Sequence, residues 1–283
     1  MEEFSFQDLN GKVCAITGGA GVIGISLAKA LVTAGIKTAI LDINKEAADR
    51  AAAELKCISS TETIGVEANV LDKESLEKAK SEINSALGKI DILINCAGGN
   101  SPKATTAEEF ITKDSLDHLE KTFFGLDIEG FRRVFDLNFL GTVLPSMILT
   151  KDMLLNGGGS IINISSMNSY RPLTKIPAYS AAKASINNLT EWLAVHFAKV
   201  NIRVNAIAPG FFLTNQNRFL LIDEKTGGLT PRGHKILSST PMEKFGEPED
   251  LQGTLLYLLS SLSKFVTGVV IPVDGGFNAY SGV

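Results

Sequence analysis

Seven short runs rich in Val, Ile and Ala recur along the chain, separated by helix-compatible sequence. This alternation limits the fold more than any other feature. The runs are KVCAIT (12–17), KTAILD (37–42), ETIGVEA (62–68), DILIN (91–95), SIINIS (160–165), IRVNAIA (202–208) and GVVIPV (268–273). Most are continuously apolar rather than alternating, as strands buried on both faces are. Helix-compatible segments lie between them at 22–34, 45–55, 73–86, 129–155, 178–199 and 248–260. Strand–helix alternation throughout predicts an α/β fold with one doubly wound, seven-stranded parallel sheet and helices on both faces. No repeat, linker or low-complexity tract interrupts the 283 residues, and 45% of them are hydrophobic, enough for one large core. A single domain over 1–283 is therefore expected. Two segments, 99–128 and 210–247, break the rhythm; excursions of that length in a compact domain are usually functional loops or lids.

Several function classes are disfavoured by composition. The formal net charge of -4 gives no basic footprint for nucleic acid. No run approaches the roughly 18 apolar residues of a membrane span. The start, MEEFSFQDLNGK, lacks the basic, apolar and cleavage regions of a signal peptide. Cys14, Cys57 and Cys96 have no metal-type spacing, and neither do His118, His196 and His234. A cytoplasmic protein without a metal is expected, with no nucleic-acid or membrane partner.

The stretch TGGAGVIG (17–24) directly follows the first strand and opens a helix. Its glycines let backbone approach a pyrophosphate, and the helix N-terminus offers free N–H groups to the anion. Together with the alternation, this predicts a Rossmann-type nucleotide site; a tight turn and nothing more is the alternative. Two registers are open, G-x-G-x-x-G on Gly19, Gly21 and Gly24, or T-G-x-x-x-G-x-G on Gly18 and Gly24 with Val22 in place of a glycine. Asp42 ends the second strand, where a carboxylate accepts hydrogen bonds from the adenosine ribose and repels a 2′-phosphate. Ile43 and Asn44 supply no cation to offset that repulsion. NAD is expected over NADP, the alternative for Asp42 being a cap on the following helix.

Downstream, SSMNSYRPLTKIPAYSAAK (165–183) places Tyr179 and Lys183 four residues apart on one helical face. An ammonium beside a phenol favours the phenolate and is expected to lower the tyrosine pKa towards neutrality, making a general acid/base. Ser166 stands thirteen residues before Tyr179 at the end of a buried strand. A Tyr-x-x-x-Lys pair alone occurs in many helices; with this serine and the glycine loop it becomes specific.

These motifs resemble the short-chain dehydrogenase/reductase family along essentially the whole chain: TGGAGVIG, NCAG (95–98), Asn138 in DLNFLG, Ser166, Tyr179 with Lys183, and APGFFLT (208–214). The resemblance implies a catalytic tetrad of Asn138, Ser166, Tyr179 and Lys183. Tyr179 would exchange the proton with the substrate oxygen and Ser166 would hydrogen-bond that oxygen. Lys183 would lower the tyrosine pKa and hold the nicotinamide ribose, while Asn138 would position a proton-relaying water. It also implies the register Thr17-Gly18…Gly24, with Gly19, Gly21, Val22, Ile23, Asn69, Val70, Asn95, Ala97, Gly98, Pro209, Gly210 and Thr214 completing the cofactor contacts. Asn69 stands where the family more often has aspartate. Family members are commonly tetrameric, which implies a homo-oligomer, tetramer or dimer.

The strings AGGNSPKATT, APGFFLTNQNR and VDGGFNAYSGV are similar to the family's bacterial mannonate oxidoreductase (fructuronate reductase) branch, with gluconate 5-dehydrogenases in the wider neighbourhood. This implies hydride exchange between NAD(H) and D-fructuronate/D-mannonate, or alternatively 5-ketogluconate/gluconate or another polyol. A sugar acid needs a cation for its carboxylate and polar groups for its hydroxyls. Asn100, Lys103, Asn168, Arg171 and Arg218 are the candidates, each cation having a solvated loop charge as its alternative. A binding or regulatory module with its chemistry lost is the reading from a different class. The paired Tyr179 and Lys183 beside Ser166 argue against it, because a retired site has no physical need of them.

Overall fold

The computed structural model describes residues 5–213, 218–223 and 226–282. Its strands are β1 (Val13–Thr17), β2 (Lys37–Asp42), β3 (Thr63–Glu67), β4 (Ile92–Asn95), β5 (Gly159–Ile164), β6 (Ile202–Pro209) and β7 (Val270–Val273). They form one parallel sheet in the order β3-β2-β1-β4-β5-β6-β7. The strand order reverses between β1 and β4, so the carboxyl ends of these two open the crevice in which such sheets take ligands. There Thr17 pairs with Asn95, bringing the glycine loop and NCAG side by side.

Alternate strand residues point to opposite faces, and each face has its own core. Cys14, Ile16, Ile40, Ile94 and Ile162 pack under α1 (Val22–Thr33), α2 (Lys45–Ile58) and a C-terminal helix, Gln252–Leu259. Ala15, Leu41, Leu93, Ile161 and Val204 pack under α3 (Lys73–Ala86) and the helices that follow β4 and β5. Gln252 Nε2 donates to the Ser26 carbonyl at 2.9 Å, joining the C-terminal helix to α1.

The continuous helix expected over 129–155 is broken. It runs as α4 (Ile128–Phe135), a π turn at Asp136–Leu140, α5 (Gly141–Leu149) and α6 (Lys151–Asn156). Pro145 inside α5 has no N–H to give. Thr142 and Ser146 hydroxyls bond back to the carbonyls of Asn138 and Thr142. Such π bulges recur at functional sites, and this one contains Asn138. After β5, α7 (Pro177–Phe197) carries Tyr179 and Lys183.

The excursion 99–128 is made of short 3-10 turns, and 210–247 contains α8 (Arg218–Leu221) and α9 (Pro231–Ser238). The two meet through an ion pair between Lys235 of α9 and Glu109. Gln252–Leu259 is α10, preceded by a 3-10 turn at Pro248–Leu251. Among the described residues no helix is long and apolar enough to cross a membrane.

Candidate active site

Steric closeness distinguishes the two glycine registers. Gly18 has φ +61°, and a Cβ there would lie 2.8 Å from Ala97 Cα. A Cβ on Gly24 would lie 2.4 Å from the Gly18 carbonyl oxygen. Gly21 meets only that oxygen, at 3.2 Å, and Gly19 three atoms at 3.0–3.1 Å. The positions that most exclude a side chain are thus Gly18 and Gly24. Gly21 is the N-cap of α1, and Val22, Ile23 and Gly24 form its first turn, so their N–H groups face outward at the positive end of the helix. Val22 is one of these N–H donors, and its side chain does not change that.

The Thr17 hydroxyl is fully buried and accepts from the Cys96 and Ala97 N–H groups at 3.1 and 3.2 Å, pinning NCAG against the loop. The Gly19 N–H reaches the Leu41 carbonyl at 3.1 Å, which places the end of β2 and Asp42 beside the loop. Asp42 does not cap α2. That role belongs to Asn44, whose side chain accepts from Ala47 N–H, while Asp42 accepts from Asn44 N–H at 3.1 Å. Past β3, Asn69 Oδ1 accepts from Leu71 N–H, and Val70 is buried against Gly141. At the far side, Pro209 ends β6 and Gly210 N–H bonds to the Val273 carbonyl at 2.9 Å. Thr214 lies outside the described residues.

The four residues marked for chemistry converge. The Ser166 hydroxyl lies near enough to the Tyr179 phenol to favour its ionised form. Lys183 Nζ lies 5.7 Å from the Tyr179 ring centroid and donates to the Ile164 carbonyl at 2.7 Å. A Cβ on Gly98 would stand 2.6 Å from Asn138 Oδ1 and 3.4 Å from Lys183 Nζ, so NCAG ends between these two side chains. Asn138 is fully buried; its Nδ2 donates to the carbonyls of Gly99 and Val134 at 2.7 Å each.

The expected downward shift of Tyr179 is reversed. Burial pushes the phenol above its ordinary value, and the Ser166 hydroxyl only partly opposes this. Lys183 does not counter it, because its ammonium is turned onto the Ile164 carbonyl and is itself 4% exposed. The same burial lowers Lys183 to about 8. Cys96, next to Asn95, is pushed up to about 11 by burial, with Lys183 pulling the other way.

Asn95 is a member of a buried polar chain that sequence reasoning saw only in part. Its Nδ2 donates to Ser146 Oγ at 3.0 Å and to Asn163 Oδ1 at 2.8 Å, and Asn163 Nδ2 continues to Thr190 Oγ1 at 2.9 Å. This links β4, β5, α5 and α7 under the site. A second set ties the Ser166 segment to α7 through Asn187, four residues beyond Lys183 on the same helical face. Ser165 Oγ donates to Asn187 Oδ1 at 2.5 Å, and Asn187 Nδ2 donates to Ser169 Oγ at 2.8 Å. Helical spacing from Tyr179 and Lys183 was the available signal for Asn187.

The substrate candidates are scattered around the mouth. Asn168 is buried two residues after Ser166, and its N–H donates to Ser166 Oγ at 3.3 Å. Asn100 is exposed and bonds to Thr105 Oγ1 at 2.9 Å. Lys103 is exposed, with its Cβ against Gly130, and it helps hold the Asp127 carboxyl below its usual value, behind the Gly130 N–H bond. Arg171 and Arg218 are exposed. Lys175 was missed. It lies four residues before Tyr179, half-buried, with its Nζ on the Ala107 carbonyl at 2.7 Å and the Thr106 N–H on its own carbonyl. A broad surface concavity lined by Asn10, Lys29, Thr33 and Gln252 holds none of these groups.

A strand-end serine beside a tyrosine, with a lysine near both and a glycine loop at the sheet's switch point, is an arrangement shared with known proteins. The family model described as enoyl-(acyl carrier protein) reductase matches residues 18–278. An uncharacterised oxidoreductase of Haemophilus influenzae is 52% identical over 98% of this chain and 96% of its own length. The 2-dehydro-3-deoxy-D-gluconate 5-dehydrogenase of Formosa agariphila is 33% identical over 97% of this chain and 96% of its own. A crystal structure of a candidate D-mannonate oxidoreductase from Haemophilus influenzae, with bound NAD, superposes with a TM-score of 0.92 at 52% identity, covering 97% of this chain and 98% of that one. Sheet order, glycine loop and these matches together place the chain in the short-chain dehydrogenase/reductase family, as an oxidoreductase acting on CH–OH groups.

Proposed function

We propose that this protein transfers a hydride between NAD(H) and a 5-keto sugar acid, with D-fructuronate and D-mannonate as the pair. The observation that carries the reaction is that Ser166 and Lys183 flank the Tyr179 phenol at the carboxyl edge of the sheet. The substrate reading draws on the similarity to the NAD-bound candidate D-mannonate oxidoreductase and to a dehydrogenase acting at position 5 of another hexonic acid.

The residues present fit a dinucleotide: side chains are excluded at Gly18 and Gly24, free N–H groups open α1, and the Asp42 carboxylate stands beside the loop. Bound there, the nicotinamide supplies or accepts the hydride. The chain's part is to hold the substrate oxygen and move its proton. In reduction Tyr179 donates the proton to the forming alkoxide, and its raised pKa keeps it protonated at neutral pH. Ser166 donates a hydrogen bond to the same oxygen. Lys183, held by Ile164, is left to hold the nicotinamide ribose, and Asn138 orders Gly98 and Gly99 beside it. Asp42 selects NAD. Asp42→Ala should weaken NAD and improve relative use of NADP; an unchanged NAD/NADP ratio would remove that role.

Substrate class is tested by following NADH oxidation with D-fructuronate, 5-ketogluconate and a neutral ketose of similar size. The cations are then removed one at a time, as Lys103→Met, Arg171→Met, Lys175→Met and Arg218→Met. At least one should raise KM for the acid alone, by about 10–150-fold, as expected for losing a charge-assisted hydrogen bond of roughly 1.5–3 kcal/mol. Equal effects on acid and neutral substrates in all four would sink the sugar-acid reading.

A further inference from the structure

The segment after β5 contains a side chain for which the fold supplies no partner. Asn168 is 7% exposed, and its Oδ1 is fully enclosed without a hydrogen bond among the described residues. Buried side-chain amides are almost always paired, because an orphaned acceptor forfeits its bond to water and gains nothing in return. The loop that carries it is tied down on both sides, so the enclosed oxygen meets a donor only if the Asn168 carboxamide itself turns. Ser165 Oγ and Ser169 Oγ are bonded to the two ends of the Asn187 carboxamide, and Ser169 Oγ also donates to the Ser166 carbonyl at 2.6 Å. Asn187 belongs to α7, which carries Tyr179 and Lys183. Residue 168 is therefore held beside Ser166 by the same helix that sets the proton donor, with its own N–H on the Ser166 hydroxyl.

We propose that Asn168 is a specificity-determining residue whose carboxamide binds a substrate hydroxyl on the carbon next to the reacting one. The placement follows from Ser166. If the Ser166 hydroxyl holds the reacting oxygen, a side chain two residues on reaches the adjoining carbon of the substrate, not its far end. The chemistry follows from the orphan. A carboxamide oxygen needs a donor, which a hydroxyl provides and a carbonyl or carboxylate oxygen does not. A hydroxyl also accepts, so it satisfies either end of the amide. Such a site rejects a substrate lacking the hydroxyl, since the amide is then left unpaired. The proposal rests on the carbonyl-reducing reading above but not on the substrate's carboxylate.

The test compares each substrate with its analogue lacking the adjacent hydroxyl. The acid pair is D-fructuronate and its analogue with a methyl in place of the hydroxymethyl group beside the keto carbon; the neutral pair is 1-hydroxy-2-butanone and 2-butanone. The ratio of kcat/KM within each pair is measured for the parent, Asn168→Leu and Asn168→Ala, with NAD affinity and melting temperature alongside. The ratio should fall at least tenfold in both variants while NAD affinity stays within about twofold. Asn168→Leu should melt at or above the parent, because an unpaired amide is replaced by an apolar group of similar size. A ratio unchanged in Asn168→Ala overturns the proposal, whether or not the Leu variant folds. So does a melting temperature lowered in both variants with the ratio intact, which would make the amide a structural group. If only the neutral pair is turned over, the sugar-acid reading fails, and Asn168 is still decided on that pair.

Discussion

Around Gly18 and Gly24 the backbone itself fills the space a side chain would need, whereas the segments 99–128 and 210–247 meet through exposed side chains, Lys235 on Glu109. The side proposed for the cofactor is built from close packing and enclosed hydrogen bonds: Cys96 and Ala97 onto Thr17, Asn95 onto Asn163 and Ser146, Lys183 onto Ile164. The side proposed for the substrate is built from 3-10 turns, a short helix and partly hydrated contacts such as Lys175 onto the Ala107 carbonyl. The first holds reacting groups in one geometry. The second tolerates change, because water replaces a lost exposed bond at little cost. A common reaction can thus be kept while the molecule being reduced is changed.

The largest effect should come from Tyr179→Phe, which leaves the aromatic body but removes the proton. It should lower kcat by at least about 100-fold, as for loss of a general acid, and leave NAD affinity nearly intact. Near-normal turnover would mean that the proton comes from elsewhere.

A glycine pair probes the two sides directly. Gly18→Ala forces an alanine into left-handed backbone, worth about 1–2 kcal/mol before any steric push from Ala97. It should lower the melting temperature by roughly 3–8 °C and weaken NAD. Gly99→Ala adds a Cβ that meets nothing within 4 Å and should move the melting temperature by about 1 °C or less. Equal losses at both positions would erase the distinction.

A smaller effect is set by pH. Lys183 is lowered to about 8 in the fold, so between there and the ordinary lysine value the unfolded chain binds more protons. Stability from this group is absent below about pH 8 and appears as pH rises towards roughly 10.5. Lys183→Met removes that dependence. Its advantage in unfolding free energy over the parent should shrink across this window in denaturant titrations; a constant difference would show that Lys183 is not depressed. The smallest effect belongs to Lys235→Met, which breaks the pair with Glu109. The melting temperature should stay within about 2 °C, as for other exposed ion pairs. KM for the keto acid should rise more than KM for NADH, and the reverse order would remove α9 from the substrate side.

How much of this was legible in the sequence depends on range. The strand ends, the glycine loop and the Tyr179–Lys183 pair follow from local periodicity, and all seven strands stand within two residues of where continuous apolar runs put them. The π turn at Asp136–Leu140 was not legible. It is selected by Asn138 reaching Gly99 and by hydroxyls bonding back along the helix, and it has no propensity of its own. The direction of the Tyr179 shift was lost for a related reason: spacing shows that a lysine is near, but not that its ammonium is engaged by a carbonyl on β5. Asn163, Thr190 and Ser146 each look like isolated polar residues, and only folding joins them to Asn95.

The bond from Gln252 to Ser26 carries a consequence for synthesis. It joins residues 226 apart, and Leu255 and Leu258 share a core with Leu27 and Leu31. At ~5–20 residues per second, the helix that opens the nucleotide site waits roughly 10–45 s on the ribosome for the last helix to cover it. Over that interval Leu27 and Leu31 lack this cover. A chain stopped before residue 252 keeps the whole of TGGAGVIG and Tyr179–Lys183, yet is expected to stay open to proteases and chaperones, with NAD unable to rescue it.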